Sequence, residues 1–325
     1  MALQPQAQEV QTPNIVVRQL REKDLSAADQ VFRLAFGTFL GLPDPATSWA
    51  DVNYVHTRWR TDPTAALGAE VGGELVGSNF ATNWGSVGFF GPLTVRPDFW
   101  DQGVAKRLLE PTMELFAKWG TKHIGLFTFA HSPKHIGLYQ KFGFWPRFLT
   151  PIMSKPVQPT AKVSQLSRYT EVPNSQREGC LTACRELTHA VYEGLDLETE
   201  IRAVNAQKLG ETVLLWNDAK LVGLSVCHCG KATEAGSSTC YIKFGAVRPG
   251  SSAARDFRCL LDGCEALASE KGMTRLVAGV NTARHEAYRI MVERGFRTEF
   301  QGVAMERPNE PGYNRAGVYL IDDWR

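Results

Sequence analysis

Apolar and polar positions alternate along the chain with two periods. Residues 15–18 read as a short strand, and Leu25, Ala28, Val31, Phe32, Ala35 and Phe36 then recur every three to four residues, the stripe of a helix with one buried face. Asp24 stands where a carboxylate can accept from the free N–H groups of that helix start. A second helix is expected over 49–59. Residues 65–71 and 75–82 have the pattern of a hairpin turning at Gly72-Gly73. Further strands are expected over 87–95, 124–129 and 148–154, with helices over 104–118 and 133–142 between them. The order is β-α-α-β-β-β-α-β-α-β.

The pattern is used twice. Arg96-Pro97 recurs as Arg248-Pro249, Gly143-Phe144 as Gly295-Phe296, Met153 as Met305 and Pro156 as Pro308, each displaced by 152 positions (96 to 248). Leu75-Val76-Gly77 recurs as Leu221-Val222-Gly223 at 146 (75 to 221), a difference that an unequal loop absorbs. The second copy shows a hairpin over 212–216 and 221–227, strands over 241–247, 275–280, 300–306 and 317–321, and helices over 255–271 and 284–294. The fold class expected is α+β: two tandem domains, each a mixed, mostly antiparallel sheet flanked by helices. Residues 1–14 read as a disordered lead, 15–156 as the first domain, 157–165 as a linker and 166–325 as the second domain. The seam is polar, proline-bearing and without apolar period.

Composition narrows the partners. The 325 residues are about twice the usual ~100–200 of one domain. A net charge of +2, without a basic stripe, argues against nucleic acid as a primary partner. The apolar stretches fall short of the ~20 residues needed to cross a bilayer, so no membrane partner is expected. The first fourteen residues lack a basic stretch followed by an apolar core, and the seven cysteines are an odd number confined to the second half. Reduced thiols and a cytoplasmic location follow as expectations. Cys227-His228-Cys229 has the wrong spacing for a common zinc knuckle and reads as small buried side chains, so no metal is expected.

The segment 93–109 carries the chemistry. A strand ends at Arg96-Pro97, a short loop follows, and an amphipathic helix begins near Gly103. The first N–H groups of a helix have no internal acceptor and sit at the positive end of its dipole. Gly103 lets a ligand approach the backbone and Ala105 keeps the next turn open, a place suited to a pyrophosphate, with Lys106 and Arg107 adding positive charge. Further on, residues 138–144 read as a helix stopped by Gly143, with Tyr139 before the stop and Phe144 packing back.

These two segments resemble the GNAT superfamily of acyl-CoA N-acyltransferases. Gly103 and Ala105 match its phosphate loop, and Tyr139, Gly143 and Phe144 match its later helix stop; Trp100 departs from the Gln or Arg that usually opens the loop. The resemblance covers about residues 16–155, and a weaker version about 166–324. It implies acetyl-CoA as co-substrate. The backbone of Leu93, Thr94 and Val95 would pair with the pantetheine arm, and the N–H groups of Gln102, Gly103, Val104, Ala105 and Lys106 would hold the pyrophosphate. Tyr139 would be the general acid on the departing thiolate. A tyrosine of pKa ~10 is protonated at neutral pH and can donate to such a leaving group. The Val95 N–H could polarise the thioester carbonyl.

The proton from the attacking amine has no obvious destination, since the strand 87–95 holds no Asp or Glu. His131, acting through water, and a relay through bulk water both remain open, with Ser132 and His135 as neighbours. The second copy loses the Gly-x-Ala core, places Asp256 near the turn and has Met291 where the first has Tyr139, with Tyr288 one turn earlier. It reads as structural or substrate-binding. Phe39, Trp49, Tyr54, Trp59 and Trp84 fall on elements that line the acceptor side in the superfamily. Asp322-Asp323-Trp324-Arg325 reads as a solvated end. The function expected is transfer of an acetyl group to a primary amine of a small molecule or peptide, the alternative being a non-catalytic acyl-CoA-binding sensor or scaffold. A homodimer is left open.

Overall fold

The structure, a computed structural model, describes residues 14–49, 51–158 and 165–325. The lead expected over 1–14 lies outside them apart from Asn14, as do residues 159–164 of the expected linker. The first copy runs β1 (Ile15–Gln19), α1 (Leu25–Phe39), α2 (Tyr54–Thr61), β2 (Ala66–Val71), β3 (Glu74–Trp84), β4 (Val87–Phe90), β5 (Thr94–Val95), α3 (Val104–Trp119), β6 (His123–Phe129), α4 (Pro133–Gln140) and β7 (Trp145–Pro156). The second runs β8 (Leu166–Arg168), α5 (Arg177–Val191), α6 (Glu198–Gln207), β9 (Gly210–Asn217), β10 (Lys220–Gly230), β11 (Gly236–Val247), α7 (Ala253–Glu270), β12 (Arg275–Gly279), α8 (His285–Glu293), β13 (Arg297–Arg307) and β14 (Leu320–Ile321).

Among the described residues the strands form one mixed sheet in the order β1-β2-β3-β4-β6-β13-β7-β12-β11-β10-β9-β8, with β5 on β3 and β14 on β11. Only β4 with β6 and β11 with β12 run parallel there. The order interleaves the copies. β7 leaves β6 of its own copy to pair with β12, as in Ala278 with Met153, and β13 pairs with β6, as in Val303 with Thr128. The two exchanged strands also pair with each other, from Arg297 opposite Ser154 to Glu306 opposite Trp145. A displacement of 152 turns β6 into β12 and β7 into β13 (123 to 275, 145 to 297), so the exchange is reciprocal. A cut at the seam between copies would strip β6 and β12 of a neighbour and expose two edges.

Three local features differ from the sequence reading, each for a physical reason. The second helix starts at Tyr54 rather than 49, because the Asn53 side chain caps it by accepting from the His56 N–H at 3.1 Å. Trp49, with φ of 51°, stays in the preceding loop, where Arg33 donates to the carbonyls of Ser48, Trp49 and Val52. The strand 87–95 is broken at Gly91-Pro92: Pro92 has no N–H for a ladder, and the Gly91 carbonyl accepts from Arg58 instead. Asp24 makes no cap bond to α1; Arg18, 2.6 Å away, holds its carboxyl down to about 2.

The copies also share a core. Trp84 and Phe89 of the first pack with Leu187, Phe244 and Leu320 of the second, and the rings of Trp84 and Phe244 meet edge-on at 5.4 Å. Truncating such a buried tryptophan costs about 3–5 kcal/mol, so this packing alone binds the halves firmly.

Candidate active site

The broken strand opens the sheet. β4 pairs with β6 only as far as Phe89 opposite Gly125, and beyond that point the two diverge around a cavity of about 1150 Å³. Phe99, Trp100, Gly103, Val104 and Lys106 line one end, and Asp51, Ser237, Thr239 and Arg275 the other. Tyr139, Phe129, Tyr241 and Trp324 are also on its wall.

At the first end, Asp101 and Gly103 have φ of 63° and 84°, and α3 starts directly afterwards at Val104. Its first amides lack intrahelical acceptors, as the sequence required. A Cβ placed on Gly103 would meet nothing within 4 Å, so the space in front of the turn is open. Trp100, the departure from the family pattern, donates from Nε1 to the Val95 carbonyl at 2.7 Å and braces the turn from within. The Gln102 side chain turns away to the Asp98 carbonyl at 2.8 Å. Lys134 pairs with Asp101 at 2.7 Å, and it lines this end with Lys106 and Lys141.

On β5 the Arg96 N–H donates to the Val76 carbonyl at 2.8 Å. Alternate amides of a strand point to opposite edges, so the Val95 N–H points to the open edge, away from β3. Its carbonyl, on that same edge, is taken by Trp100. The edge therefore offers a ligand its donor at Val95 and withholds one acceptor. Leu93, Thr94 and Val95 all line the cavity.

α4 brings a second pair of groups to the wall. Ser132 caps it by accepting from the His135 N–H, and Pro133 opens it at a position where no N–H is needed. It ends at Gln140, two residues short of the expected 142, and the chain turns away through Gly143, φ 82°, with the Phe144 N–H bonded to the Tyr139 carbonyl at 3.2 Å. His135 and Tyr139 lie four apart and so share a face of the helix, and both line the cavity. Burial pushes the Tyr139 hydroxyl pKa up, and its ring meets Phe90 edge-on at 5.8 Å. Burial, helped by the charges of Lys134 and His131, lowers the pKa of His135 below its ordinary 6.5. The His135 Nδ1 is buried with no hydrogen-bond partner among the described residues. His131, singled out from the sequence, is exposed, stacks 6.0 Å from Phe39, and is not on the cavity wall. The better placed imidazole is one turn further along.

The far end is aromatic. Phe32, Phe36, Trp49 and Tyr54 form a cluster with ring centroids 5.1 to 5.9 Å apart, and Phe39 lies 4.8 Å from Phe129. Of the aromatic residues expected on the acceptor side, Phe39, Trp49 and Tyr54 line the cavity. Trp59 instead donates to the Leu20 carbonyl at 3.0 Å, and Trp84 belongs to the shared core. The opposite wall, with Tyr241, Val277 and Phe300, comes from the second copy. The loop that carries Trp49 is laced to that copy by Asn53 N–H to Thr233 and Ala232 N–H to Asp51, both 2.9 Å.

The segment 322–325 corrects the sequence reading. Asp322, Asp323 and Trp324 are only 2%, 2% and 4% exposed, so this is no solvated end. β14 pairs Ile321 with Gly245 and Leu320 with Ala246, and Val247 N–H donates to the Tyr319 carbonyl at 3.2 Å. Displaced by 152, Gly245, Ala246 and Val247 are the counterparts of Leu93, Thr94 and Val95. The edge that stays open in the first copy is filled in the second by the chain itself. Burying two aspartates is tolerable because both are bonded: Arg284 lies 2.7 Å from Asp322, which also accepts from the Tyr313 hydroxyl, and the Tyr241 hydroxyl donates to Asp323 at 2.9 Å. A Cβ at Gly279 would collide with Asp323, and one at Gly125 with the Trp324 indole, so these glycines let residues 322–325 lie flat on the sheet. Arg255, the counterpart of Gly103, is already inside α7, Asp256 sits in its first turn, and Met291 is fully buried where the first copy has Tyr139.

Comparisons with known proteins support this fold. Residues 29–144 match the model of the acetyltransferase (GNAT) family. A Pyrococcus horikoshii protein assigned as an acetyltransferase is similar in structure over 100% of this chain and 99% of its own, with a TM-score of 0.69 at 15% identity. A GCN5-related N-acetyltransferase from Sphaerobacter thermophilus covers 90% of this chain and 95% of its own (TM-score 0.58, 15% identity). A tandem GNAT protein from the clavulanic acid biosynthesis pathway covers 90% and 98% (TM-score 0.53, 12% identity). No curated protein sequence matches.

Proposed function

The chain carries a GNAT-family acetyltransferase domain in its first copy and has the fold of tandem members of that superfamily; on that premise we propose that it transfers an acetyl group from acetyl-CoA to a primary amine by direct attack. The observation that carries the reading is the continuity of one open path. The unobstructed turn at Gly103, the free edge at Val95 and the paired side chains of His135 and Tyr139 all face the same cavity.

The amides from Gly103 to Lys106 would hold the diphosphate, and the Val95 N–H would donate to the arm or to the thioester carbonyl oxygen as it gains negative charge. The amine nitrogen attacks the carbonyl carbon, and the carbon–sulfur bond breaks as the tetrahedral intermediate collapses. The nitrogen must lose a proton and the sulfur must gain one. His135, kept neutral by burial, is suited to accept the first; Tyr139, kept protonated by burial, is suited to supply the second. The products are the acetamide and free CoA.

Calorimetric titration with acetyl-CoA, followed by thiol release across a panel of amines, tests the reading. Binding together with acceptor-dependent thiol release is expected. Binding without transfer to any amine would favour the sensor or scaffold alternative, and no binding at all would overturn both.

A further inference from the structure

The acceptor end of the cavity holds several charged side chains, most of them paired within the protein. Glu234 accepts from Arg58 Nε and Nη2 and from Lys243, each at 3.0 Å. Arg275 donates to Glu299 at 2.5 Å, and Asp51 accepts from the Ser237 N–H at 2.6 Å. Arg325 differs. Its guanidinium sits 4.1 Å over the ring of Tyr241, its side chain is 18% exposed, and it is on the cavity wall. Asp323 Oδ2 is 3.3 Å from its Nε, yet Nε is buried with no hydrogen bond made, and beyond Asp323 its side-chain partner is Tyr241, through ring and hydroxyl. A guanidinium offers five N–H donors in a planar fork matched to an oxyanion, and leaving such donors unfilled in a buried place is costly.

The donors are also held still. Arg325 N–H donates to Asp323 Oδ1 at 3.1 Å, its main-chain oxygen accepts from Arg58, and Trp324 Nε1 donates to the Tyr313 hydroxyl at 2.9 Å. The residues just before it are the ones threaded through the second copy's filled edge. That copy thus serves as the clamp that delivers Arg325 to the cavity of the first, a fixed fork on a rigid support.

We infer that Arg325 binds an acidic group on the acceptor. The amine acetylated would then carry a carboxylate, or a comparable oxyanion, at the end away from its amino group, with an apolar or aromatic body between them lying against Phe36, Trp49 and Phe300. The inference rests on the proposed acetyl transfer for its kinetic reading, but not for its binding reading.

The test uses the matched pair 4-(aminomethyl)benzoate and benzylamine with the full chain. The acid should have the higher kcat/KM by roughly tenfold or more, through KM, as expected for hydrogen bonds to a charged partner. Arg325→Gln should bring the ratio of the two close to one, and Arg325→Lys, which keeps the charge without the fork, should leave part of it. A wild-type preference for benzylamine, or an unchanged ratio in Arg325→Gln, overturns the inference. Calorimetric binding of 4-(aminomethyl)benzoate to wild type and to Arg325→Gln gives the same comparison if no acetyl transfer occurs: tighter binding to wild type supports the site, and equal or absent binding overturns it. Thermal melting of both variants separates a lost contact from a lost fold.

Discussion

Arg58 and Glu234, 176 positions apart, form a two-point ion pair with both contacts at 3.0 Å and both side chains almost wholly buried. One comes from α2 of the first copy and the other from the turn between β10 and β11 of the second. Arg58 also donates to the carbonyls of Gly91 and Arg325, so it ties the broken strand, the second copy and residues 322–325 to one point beneath the cavity.

Glu234→Ala would leave Arg58 and Lys243 buried beside a missing carboxylate. Breaking a buried pair from one side costs about 3–5 kcal/mol, against about 0–1 for an exposed pair. Urea unfolding should show a loss in the upper range, little affected by added salt because solvent ions do not reach the pair. A loss under about 1 kcal/mol would mean that the pair behaves like a surface contact, against the burial seen.

Acid should attack the same network. Burial opposes ionisation of Glu200, but Lys243 at 2.8 Å and His228 together outweigh it, and its carboxyl is lowered to about 2. A carboxyl whose pKa falls on folding stabilises the fold above the unfolded value of ~4.5 and loses that stabilisation as pH drops toward the folded value. Stability by urea unfolding should therefore be nearly level from pH 7 to pH 5 and decline between about pH 4.5 and pH 2. Glu200→Gln should be less stable at neutral pH and show a shallower decline. A wild-type curve that begins to fall near pH 6 would assign the transition to another group.

If acetyl-CoA binds as proposed, the filled edge of β11 leaves one site per chain. Calorimetry should give one acetyl-CoA per chain, with the site in the first copy. Gly103→Val forces a branched side chain into a left-handed turn, at a backbone cost of about 1–2 kcal/mol, and points its Cβ into the open space that the diphosphate would occupy. Affinity should fall by about tenfold or more, while Asp256→Asn in the second copy leaves both affinity and count unchanged. A stoichiometry near two would show that residues 319–321 yield to the cofactor.

The features legible in the sequence were the local ones. The helix stripe of α1, the hairpin at Gly72-Gly73, the helix stop at Gly143 and the turn at Gly103 each depend on a few neighbouring residues, and the displacement of 152 exposed the repeat. The exchange of β7 and β13 was not legible, because a strand's alternation states which face is buried and not which strand lies beside it. The burial of Asp322 and Asp323 escaped for a similar reason. Two acidic residues in a row are usually solvated, and their partners Arg284 and Tyr241 lie 38 and 82 positions away. His131 was favoured over His135 by its place just after a strand. What separates them in the structure is that His135, four residues from Tyr139 on one helical face, lines the cavity and His131 does not.

In the proposed mechanism His135 and Tyr139 divide the proton traffic, and pH can test that division. The lowered pKa of His135 makes its neutral form available at neutral pH, so kcat/KM should decline in acid through a value below 6.5. His135→Gln should remove that acidic limb and lower kcat by about 10²- to 10⁴-fold, the range typical of a lost acid or base. Tyr139→Phe should lower kcat within the same range with little change in KM. It should also leave the melting temperature nearly unchanged, since burial alone accounts for the shift of that hydroxyl. His131→Gln serves as the comparison, because its exposed ring is off the cavity wall: the acidic limb should persist, moved toward slightly higher pH by loss of the His131 charge beside His135. If the acidic limb disappears in His131→Gln and persists in His135→Gln, the proton acceptor is the loop histidine after all, reached through water. If both keep it, the proton leaves by solvent and α4 contributes only the acid.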